Sequence, residues 1–240
     1  MEVKNKVIII TGASGGIGLA AAKLLAQHEA HVVLVARSSE KLQQLTKEIP
    51  NSFAITADMR DEVAVRDMIS QVHSHYGRID ALVNNAGQGM HVSIENTNLE
   101  QLRSIFELNV IGVLAAMQAV IPLMRKQPEG GVIINITSGL TKRIVPTVGP
   151  YAATKYALNA ITLTARMELE KDNIRIGLVY PGMTATDFFK NTISREMTHS
   201  DRMKMMPMDT AEAVAEKILA ALQTEEAEVF VDSLKHGMAK

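Results

Sequence analysis

The sequence predicts an α/β fold: a doubly wound parallel sheet of about seven strands, with helices on both faces, in a single domain. Short runs rich in Val and Ile alternate with longer amphipathic segments, which is the rhythm of βαβ units. The strands are apolar along their whole length, as expected where helices cover both faces of a sheet. A chain of 240 residues, 47% of them hydrophobic, is sufficient for one such domain.

The predicted elements follow one another without a repeat or a linker, so residues 1–240 are expected to form one domain. Ser38, and either Asp209 or Thr210, are expected to cap helices, while Gly77 should end one. Strands are predicted at 6–11, 31–36, 52–57, 80–87 (where the strand runs into a turn), 131–138, 174–180 and 228–232. Helices are predicted at 19–30, 38–49, 61–77, about 99–124, about 151–171, and 210–223.

Composition excludes several classes of protein. The chain has no cysteine, which excludes a disulfide scaffold, a thiol nucleophile and cysteine-ligated metals; its seven histidines show no metal-ligand spacing. A net charge of −1 argues against binding to nucleic acid or anionic membrane. The longest apolar stretch, 108–124, is shorter than a membrane span and contains Asn109, Gln118 and Pro122, which favours a buried helix. We therefore expect a soluble, cytoplasmic protein without a metal.

The segment TGASGGIG (11–18) follows the first strand and opens the first helix, which is the context of a dinucleotide-binding loop. Glycines let the backbone approach a pyrophosphate, and the helix N-terminus favours its negative charge. The spacing fits either Gly12, Gly16, Gly18 or Gly12, Gly15, Gly18, and the alternative is a plain glycine turn. A Rossmann-like cofactor site is predicted here, formed by Gly12, Ser14, Gly15, Gly16, Ile17 and Gly18.

The end of the second strand favours NADP over NAD. An acidic residue there binds the ribose 2′-hydroxyl of NAD, whereas a nearby arginine accommodates the 2′-phosphate of NADP. In VLVARSSEK the expected acidic place holds Ala36, followed by Arg37 and Ser38. The alternative is that Arg37 is an ordinary solvent-facing side chain.

Six motifs occur in order along nearly the whole chain: TGASGGIG, NNAG (84–87), Asn109 in ELNV, Ser138 in ITSG, YAATK (151–155) and YPGMTAT (180–186). In this set the chain resembles the short-chain dehydrogenase/reductase family, in its "classical" subgroup. The spacing Gly12, Gly16, Gly18 is that of this subgroup; the other spacing is similar to epimerase-like members, whose larger substrate domain this chain is too short to supply.

The resemblance implies hydride transfer between a nicotinamide and a carbonyl or alcohol, with Tyr151 as general acid/base. Tyr151 and Lys155 are four residues apart and so share one face of a helix. We expect the ammonium of Lys155 to lower the pKa of Tyr151 toward neutrality, and Ser138 to hold the substrate carbonyl. The alternatives are a packed aromatic with a snorkelling lysine, and a serine turn cap. Tyr156 faces elsewhere and is assigned to packing.

The remaining site residues are assigned mainly from the resemblance. The resemblance implies that Asn109 holds a water molecule in a proton relay to Lys155; the alternative is that Asn109 is a satisfied core amide. It also implies that Lys155 reaches the hydroxyls of the nicotinamide ribose. Asp58 is similar to the residue that binds the adenine amino group, with a helix N-cap as the alternative. The adenosine ribose is expected at Asn85, Ala86 and Gly87, and the nicotinamide at Pro181, Gly182 and Thr184.

Substrate choice is expected to lie in a lid at about 184–208, where 197–208 holds five of the fourteen methionines. This composition predicts a moderately apolar carbonyl substrate, although an amphipathic core helix explains it equally well. The broad apolar surfaces of helices 99–124 and 151–171 predict a homodimer or homotetramer. The rival function is a sensor or scaffold that binds NADP without turnover.

Overall fold

The computed structural model describes residues 1–193 and 208–235. Its strands are β1 Val7–Thr11, β2 His31–Ala36, β3 Ser52–Thr56, β4 Ala81–Asn84, β5 Gly131–Ile136, β6 Ile174–Tyr180 and β7 Glu228–Phe230. Its α-helices are α1 Gly16–Gln27, α2 Ser39–Glu48, α3 Glu62–Tyr76, α4 Leu99–Phe106, α5 Gly112–Met124, α6 Gly149–Glu168, α7 Ala211–Thr224 and α8 Asp232–Lys235.

All seven strands form one parallel sheet in the order β3-β2-β1-β4-β5-β6-β7, which confirms the predicted fold class. One apolar core lies between the sheet and α1, α2 and α7; a second lies between the opposite face and α3, α5 and α6. The chain order reverses direction in the sheet between β1 and β4. The carboxyl ends of these strands therefore form the crevice where ligands meet an open α/β sheet.

The predicted helix caps are largely confirmed. The Ser38 hydroxyl accepts from the Lys41 amide at 3.4 Å. Gly77 ends α3 with a φ of 72°. Thr210, and not Asp209, caps α7 by accepting from the Ala213 amide at 3.0 Å. The side-chain oxygens of Ser38 and Thr210 thus satisfy amides that the first turn of each helix leaves free.

Three strand ends were predicted one or two residues too far along the chain: β3 stops at Thr56 instead of 57, β5 at Ile136 instead of 138, and β7 at Phe230 instead of 232. The strand predicted to run into a turn within 80–87 stops at Asn84. Beyond β5 the Thr137 amide still donates to the Val179 carbonyl of β6 at 2.9 Å, and the chain then reaches the crevice at Ser138. A run of residues compatible with a strand cannot show where the partner strand ends, because that depends on pairing across the sheet.

The predicted helix 99–124 is one helical run with a π segment, Glu107–Ile111, between α4 and α5. The run Leu99–Met124 has the length and hydropathy of a membrane span, but half of its most apolar window is buried inside the protein. The buried side chains of α5 join the second core beside α3. This burial is that of a core helix; the cytoplasmic location stays a prediction.

Most of the predicted lid, residues 194–207, lies outside the described residues. At its two ends the chain is held by a short parallel bridge between Thr184 and Asp209. The Asp209 amide donates to the Met183 carbonyl at 2.7 Å, and the Ala185 amide donates to the Asp209 carbonyl at 2.9 Å. The segment thus leaves and rejoins the fold at neighbouring points beside the crevice.

Candidate active site

The glycine loop has the geometry of a backbone that must pass close to other groups. Gly16 has a φ of +53°, a region that favours glycine, and a Cβ there would lie 3.2 Å from the Thr186 side chain. A Cβ on Gly18 would lie 2.5 Å from both Asn85 Nδ2 and the Gly12 carbonyl. Gly15 has an extended backbone, and a Cβ there would meet nothing nearer than Lys41 Nζ at 3.9 Å. The geometry therefore favours the spacing Gly12, Gly16, Gly18.

The start of α1 is open to an anion. Gly15, its N-cap, has no side chain to accept from the first amides, and the first turn contains no acidic residue. Free amides and the helix dipole together favour a negatively charged group. The loop thus fits a pyrophosphate.

Thr11 joins the loop to the end of β4, and sequence reasoning missed it. Its Oγ1 accepts from the amides of Asn85 and Ala86, each at 3.0 Å. Asn85 in turn donates from Nδ2 to the Thr11 carbonyl at 2.9 Å. This reciprocal set fixes the turn at 85–87 against the glycine loop. The position of Thr11 as the last residue of β1 was the signal that could have indicated it.

One cavity of about 480 Å³ runs along the crevice and connects the glycine loop with Ser138 and Tyr151. Its size is that of a small-molecule site. Most of the predicted site residues line it: Gly12, Ser14, Gly15, Gly16, Ile17, Asn85, Ala86, Gly87, Ser138, Tyr151, Lys155, Pro181, Gly182 and Thr184. Other residues that sequence reasoning missed also line it, among them Lys41, His91, Leu140, Arg143, Val145, Val148, Thr186, Phe188 and Phe189.

Tyr151 and Lys155 lie on one buried face of α6, as their spacing predicted. Lys155 Nζ donates to the Ile136 carbonyl at 2.9 Å and lies 5.9 Å from the centre of the Tyr151 ring. The Tyr151 and Ser138 side chains are hydrogen-bonded to each other. Ser138 also caps the 3-10 segment Gly139–Lys142, since its Oγ accepts from the Leu140 amide at 3.2 Å. The capping and site interpretations of Ser138 are therefore compatible.

The expected effect of Lys155 on Tyr151 is wrong for this structure. Burial raises the pKa of Tyr151 above its ordinary value, and the hydrogen bond with Ser138 opposes this only in part. Burial also lowers the pKa of Lys155 to about 8. The reason is that both side chains are removed from water, and removal from water disfavours the charged form of each.

Tyr156 does not pack within the chain. It is 43% exposed, because one further residue of α6 turns it toward the outer surface. The packing assignment from sequence is wrong for the single chain.

Asn109 lies in the π segment and is fully buried. Its Oδ1 accepts from the Gln88 amide at 3.0 Å, and its Nδ2 donates to the Gln88 carbonyl and to Thr154 Oγ1, each also at 3.0 Å. The side chain is thus a satisfied core amide, the alternative left open by sequence. It supports the turn at Gly87, where a Cβ would lie 3.3 Å from Asn109 Oδ1 and 3.6 Å from Lys155 Nζ.

Four predicted cofactor residues lie outside the cavity wall: Gly18, Arg37, Ser38 and Asp58. Arg37 and Ser38 are exposed at the end of β2, and Ser38 serves as the α2 cap. Asp58 accepts from the Arg60 amide at 3.0 Å and pairs with its guanidinium at 3.5 Å. The N-cap alternative for Asp58 is wrong, because Asp61 caps α3.

After β6 the motif YPGMTAT places Thr186, and not only Thr184, at the cavity. The Thr184 hydroxyl is buried and donates to the Gly182 carbonyl at 3.2 Å. Thr186 lies against Gly16 in the glycine loop. Within residues 1–193 and 208–235, no group of three His, Asp or Glu side chains is placed to hold a metal ion.

Comparison with known proteins agrees with this geometry. Residues 6–197 match the family model described as short chain dehydrogenase. The chain is 35% identical over 214 residues to an uncharacterized oxidoreductase of Staphylococcus epidermidis, covering 89% of this chain and 90% of that protein. It is 36% identical over 193 residues to a 3α-hydroxysteroid dehydrogenase of Mediterraneibacter gnavus, covering 78% and 77%.

Two solved structures have the same fold as this chain. A 3-ketoacyl-(acyl-carrier-protein) reductase from Brucella melitensis, complexed with NADH, superposes with a TM-score of 0.87 at 27% identity and covers 96% of this chain and 98% of its own. A short chain dehydrogenase/reductase from Burkholderia phymatum in complex with NAD has the same fold, with a TM-score of 0.91 at 21% identity, covering 99% and 92%. With a family match over most of its length and relatives above 30% identity, this chain belongs to the short-chain dehydrogenase family of oxidoreductases.

Proposed function

We propose that the protein is an NADP(H)-dependent oxidoreductase that reduces a carbonyl compound, or oxidises the matching alcohol, with Tyr151 as the general acid/base. The observation that carries this is the buried Tyr151 hydroxyl, hydrogen-bonded to Ser138 in the cavity that also contains the glycine loop. Gly12, Gly16 and Gly18 leave the close backbone surface that a pyrophosphate requires. When bound, the nicotinamide supplies or accepts the hydride.

The side chains of this chain then handle the oxygen and its proton. Ser138 holds the carbonyl oxygen by a hydrogen bond as negative charge develops on it. Tyr151 donates its proton to that oxygen. A pKa raised by burial keeps this hydroxyl protonated at neutral pH, which suits reduction better than oxidation. Lys155, anchored to the Ile136 carbonyl, completes the polar wall on the same helix face.

Three features support NADP as the preferred cofactor. Ala36 ends β2 where an acid would select NAD, and the exposed Arg37 follows it. Lys41, one turn into α2, reaches the glycine loop from the same side. The two cations at this strand end outnumber its one acid, Glu40 in the first turn of α2, and this favours an additional phosphate. Titration of NADPH and NADH by fluorescence tests this: we expect tighter NADPH binding, and Arg37→Leu should weaken NADPH binding with little effect on NADH. Tighter binding of NADH by the wild type would refute the preference.

Turnover distinguishes this function from a sensor or scaffold. A panel of aldehydes and ketones with NADPH should identify reduced substrates, and Tyr151→Phe should lower kcat by about 10²- to 10⁴-fold, the usual contribution of a positioned acid. NADPH affinity, measured in parallel, should stay within about twofold, because the aromatic ring is retained. Full turnover by the variant would exclude Tyr151 as proton donor. NADPH binding without turnover of any carbonyl would favour the sensor.

We also propose self-association through α4 and α6. Exposed apolar side chains lie on these helices: Leu99 is 60% exposed, Tyr156 43% and Met167 80%. Such residues on neighbouring helices form a surface that a second copy can cover. Light scattering at micromolar concentration should give the mass of a dimer or tetramer, and Met167→Glu should lower it. A monomeric mass for the wild type would contradict this proposal.

A further inference from the structure

Arg143 is a cation that lines the substrate end of the cavity, beyond Ser138. Arg143 follows the 3-10 segment Gly139–Lys142, which begins at Ser138. It is exposed, and among the described residues no carboxylate forms an ion pair with it. The Lys142 ammonium beside it is already engaged: it pairs with Glu228 at 3.1 Å and lies 4.7 Å from the centre of the Tyr180 ring. Of these two neighbouring cations, only Arg143 faces the cavity.

The backbone explains why Arg143 points inward. Its φ and ψ of −155° and 153° are those of an extended chain. Val145 precedes Pro146, which also favours an extended conformation. Side chains alternate along extended backbone, so 143 and 145 share one side and 144 the other. Arg143 and Val145 indeed line the cavity, while Ile144 is 90% exposed.

The space between Arg143 and the reacting groups is apolar. Leu140, Val145 and Val148 line it from the Ser138 side, and Phe188 and Phe189 line it from the segment after β6. The Phe188 ring lies 5.7 Å from the Tyr151 ring. At a 3-10 rise of about 2 Å per residue, the Cα atoms of Ser138 and Arg143 are about 10 Å apart. An apolar body of several methylenes fits between a carbonyl at Ser138 and a charged group at Arg143.

The cofactor phosphates do not account for Arg143. The glycine loop follows β1, and Ser138 follows β5, two strands away in the sheet. Neighbouring strands are about 4.8 Å apart, so the two sites are about 10 Å apart before the 3-10 segment carries the chain further. Lys41 is the cation placed at the glycine loop.

We propose that the substrate is an amphipathic carbonyl compound: an apolar body with a terminal oxyanion, carboxylate or phosphate, that Arg143 binds. This rests on the proposed reductase function and specifies its substrate class. A guanidinium offers paired donors to a carboxylate or phosphate, which fixes the far end of the substrate while its carbonyl lies at Ser138. Arg143 is thus a specificity residue and takes no part in the chemistry.

The test compares three substrates with one medium-chain methyl ketone body, ending in a carboxylate, a phosphate monoester or a methyl ester. With NADPH, the wild type should use at least one anion about tenfold better than the ester in kcat/KM, mainly through KM. Arg143→Gln should remove this preference by lowering kcat/KM for the anions to about that of the ester. Lys142→Gln, the matched control, should retain it. Equal use of ester and anions by the wild type, or an equal loss for all three substrates in Arg143→Gln, would overturn the proposal.

A binding measurement separates this proposal from the proposed function. Calorimetry with the NADPH-loaded protein and the ketone-free medium-chain carboxylate should show binding that Arg143→Gln weakens about tenfold, with NADPH affinity unchanged. Binding with this dependence but no ketone turnover would refute the reductase and leave the anion site standing. Turnover of the ester without any binding of the carboxylate would refute the anion site and leave the reductase function standing. Weaker NADPH binding in Arg143→Gln would assign the residue to the cofactor and overturn the anion site.

Discussion

The geometry of the glycine loop can be tested by comparing the effect of Gly16→Ala with that of the same substitution at the neighbouring Gly15. Gly16 has a φ of +53°, where a Cβ costs roughly 1–2 kcal/mol. The added methyl would also lie 3.2 Å from Thr186, a tight contact that this side chain must yield to. We therefore expect Gly16→Ala to lower the free energy of unfolding by about 1–2 kcal/mol, or about 2–8 °C in Tm for a chain of this size.

Gly15→Ala is the matched control. Its backbone is extended and its Cβ would lie 3.9 Å from the end of the flexible Lys41 side chain. Alanine is a poorer N-cap than glycine by somewhat under about 1 kcal/mol, so Tm should fall by about 3 °C or less. Thermal unfolding and NADPH titration of both variants provide the comparison, with Gly16→Ala also losing NADPH affinity. If Gly15→Ala were as damaging as Gly16→Ala, the spacing Gly12, Gly16, Gly18 inferred from these angles would be wrong.

Three further predictions follow from single contacts. Thr11→Val should lower the free energy of unfolding by about 1–3 kcal/mol in urea denaturation, because the amides of Asn85 and Ala86 lose their shared acceptor; an unchanged midpoint would contradict this. Lys155→Met removes a buried amine whose pKa burial lowers from 10.5 to about 8, which should stabilise the protein at pH 7 by up to about 3 kcal/mol, less the roughly 1–3 kcal/mol lost with the hydrogen bond to the Ile136 carbonyl. Between these two pKa values the unfolded chain binds the additional proton, so wild-type stability rises with pH while that of the variant does not, and the variant should be the less stable of the two at pH 10.5; a stability difference independent of pH would refute the cause. Phe188→Ala removes the ring beside Tyr151 and should raise KM for apolar ketones with little change in kcat, whereas an unchanged KM would place the substrate elsewhere.

The fold was predictable because its signals are local and periodic. Apolar strands, helical spacing and residues such as Ser38, Thr210 and Gly77 fix each element within a few residues, and the alternation of elements fixes a parallel sheet. The start of α6 was missed by two residues although Pro150, at its first turn, was a readable signal.

The π segment was not predictable in this way. Apolar periodicity is nearly the same across one widened turn, so the sequence predicts a continuous helix from 99 to 124. The extra residue changes which direction Asn109 faces, and that direction decides whether its amide meets water or the Gln88 backbone. Lys41, Thr186 and Arg143 were missed although each lies within five residues of a predicted site residue, because only the fold shows which of the neighbouring side chains turn into the cavity.

The pair Tyr151 and Lys155 shows where local reasoning stops. Spacing along a helix correctly places both side chains on one face, because the helix geometry alone decides that. Their pKa values depend instead on how much water the rest of the fold removes. Burial is the largest cause of the pKa shift of each side chain. The Lys155 ammonium donates to the Ile136 carbonyl, at the end of the strand that leads to Ser138. In the free protein its role is therefore to hold α6 against β5, which sets the Tyr151 hydroxyl beside Ser138; lowering the pKa of Tyr151 requires positive charge closer to the phenol than this structure provides.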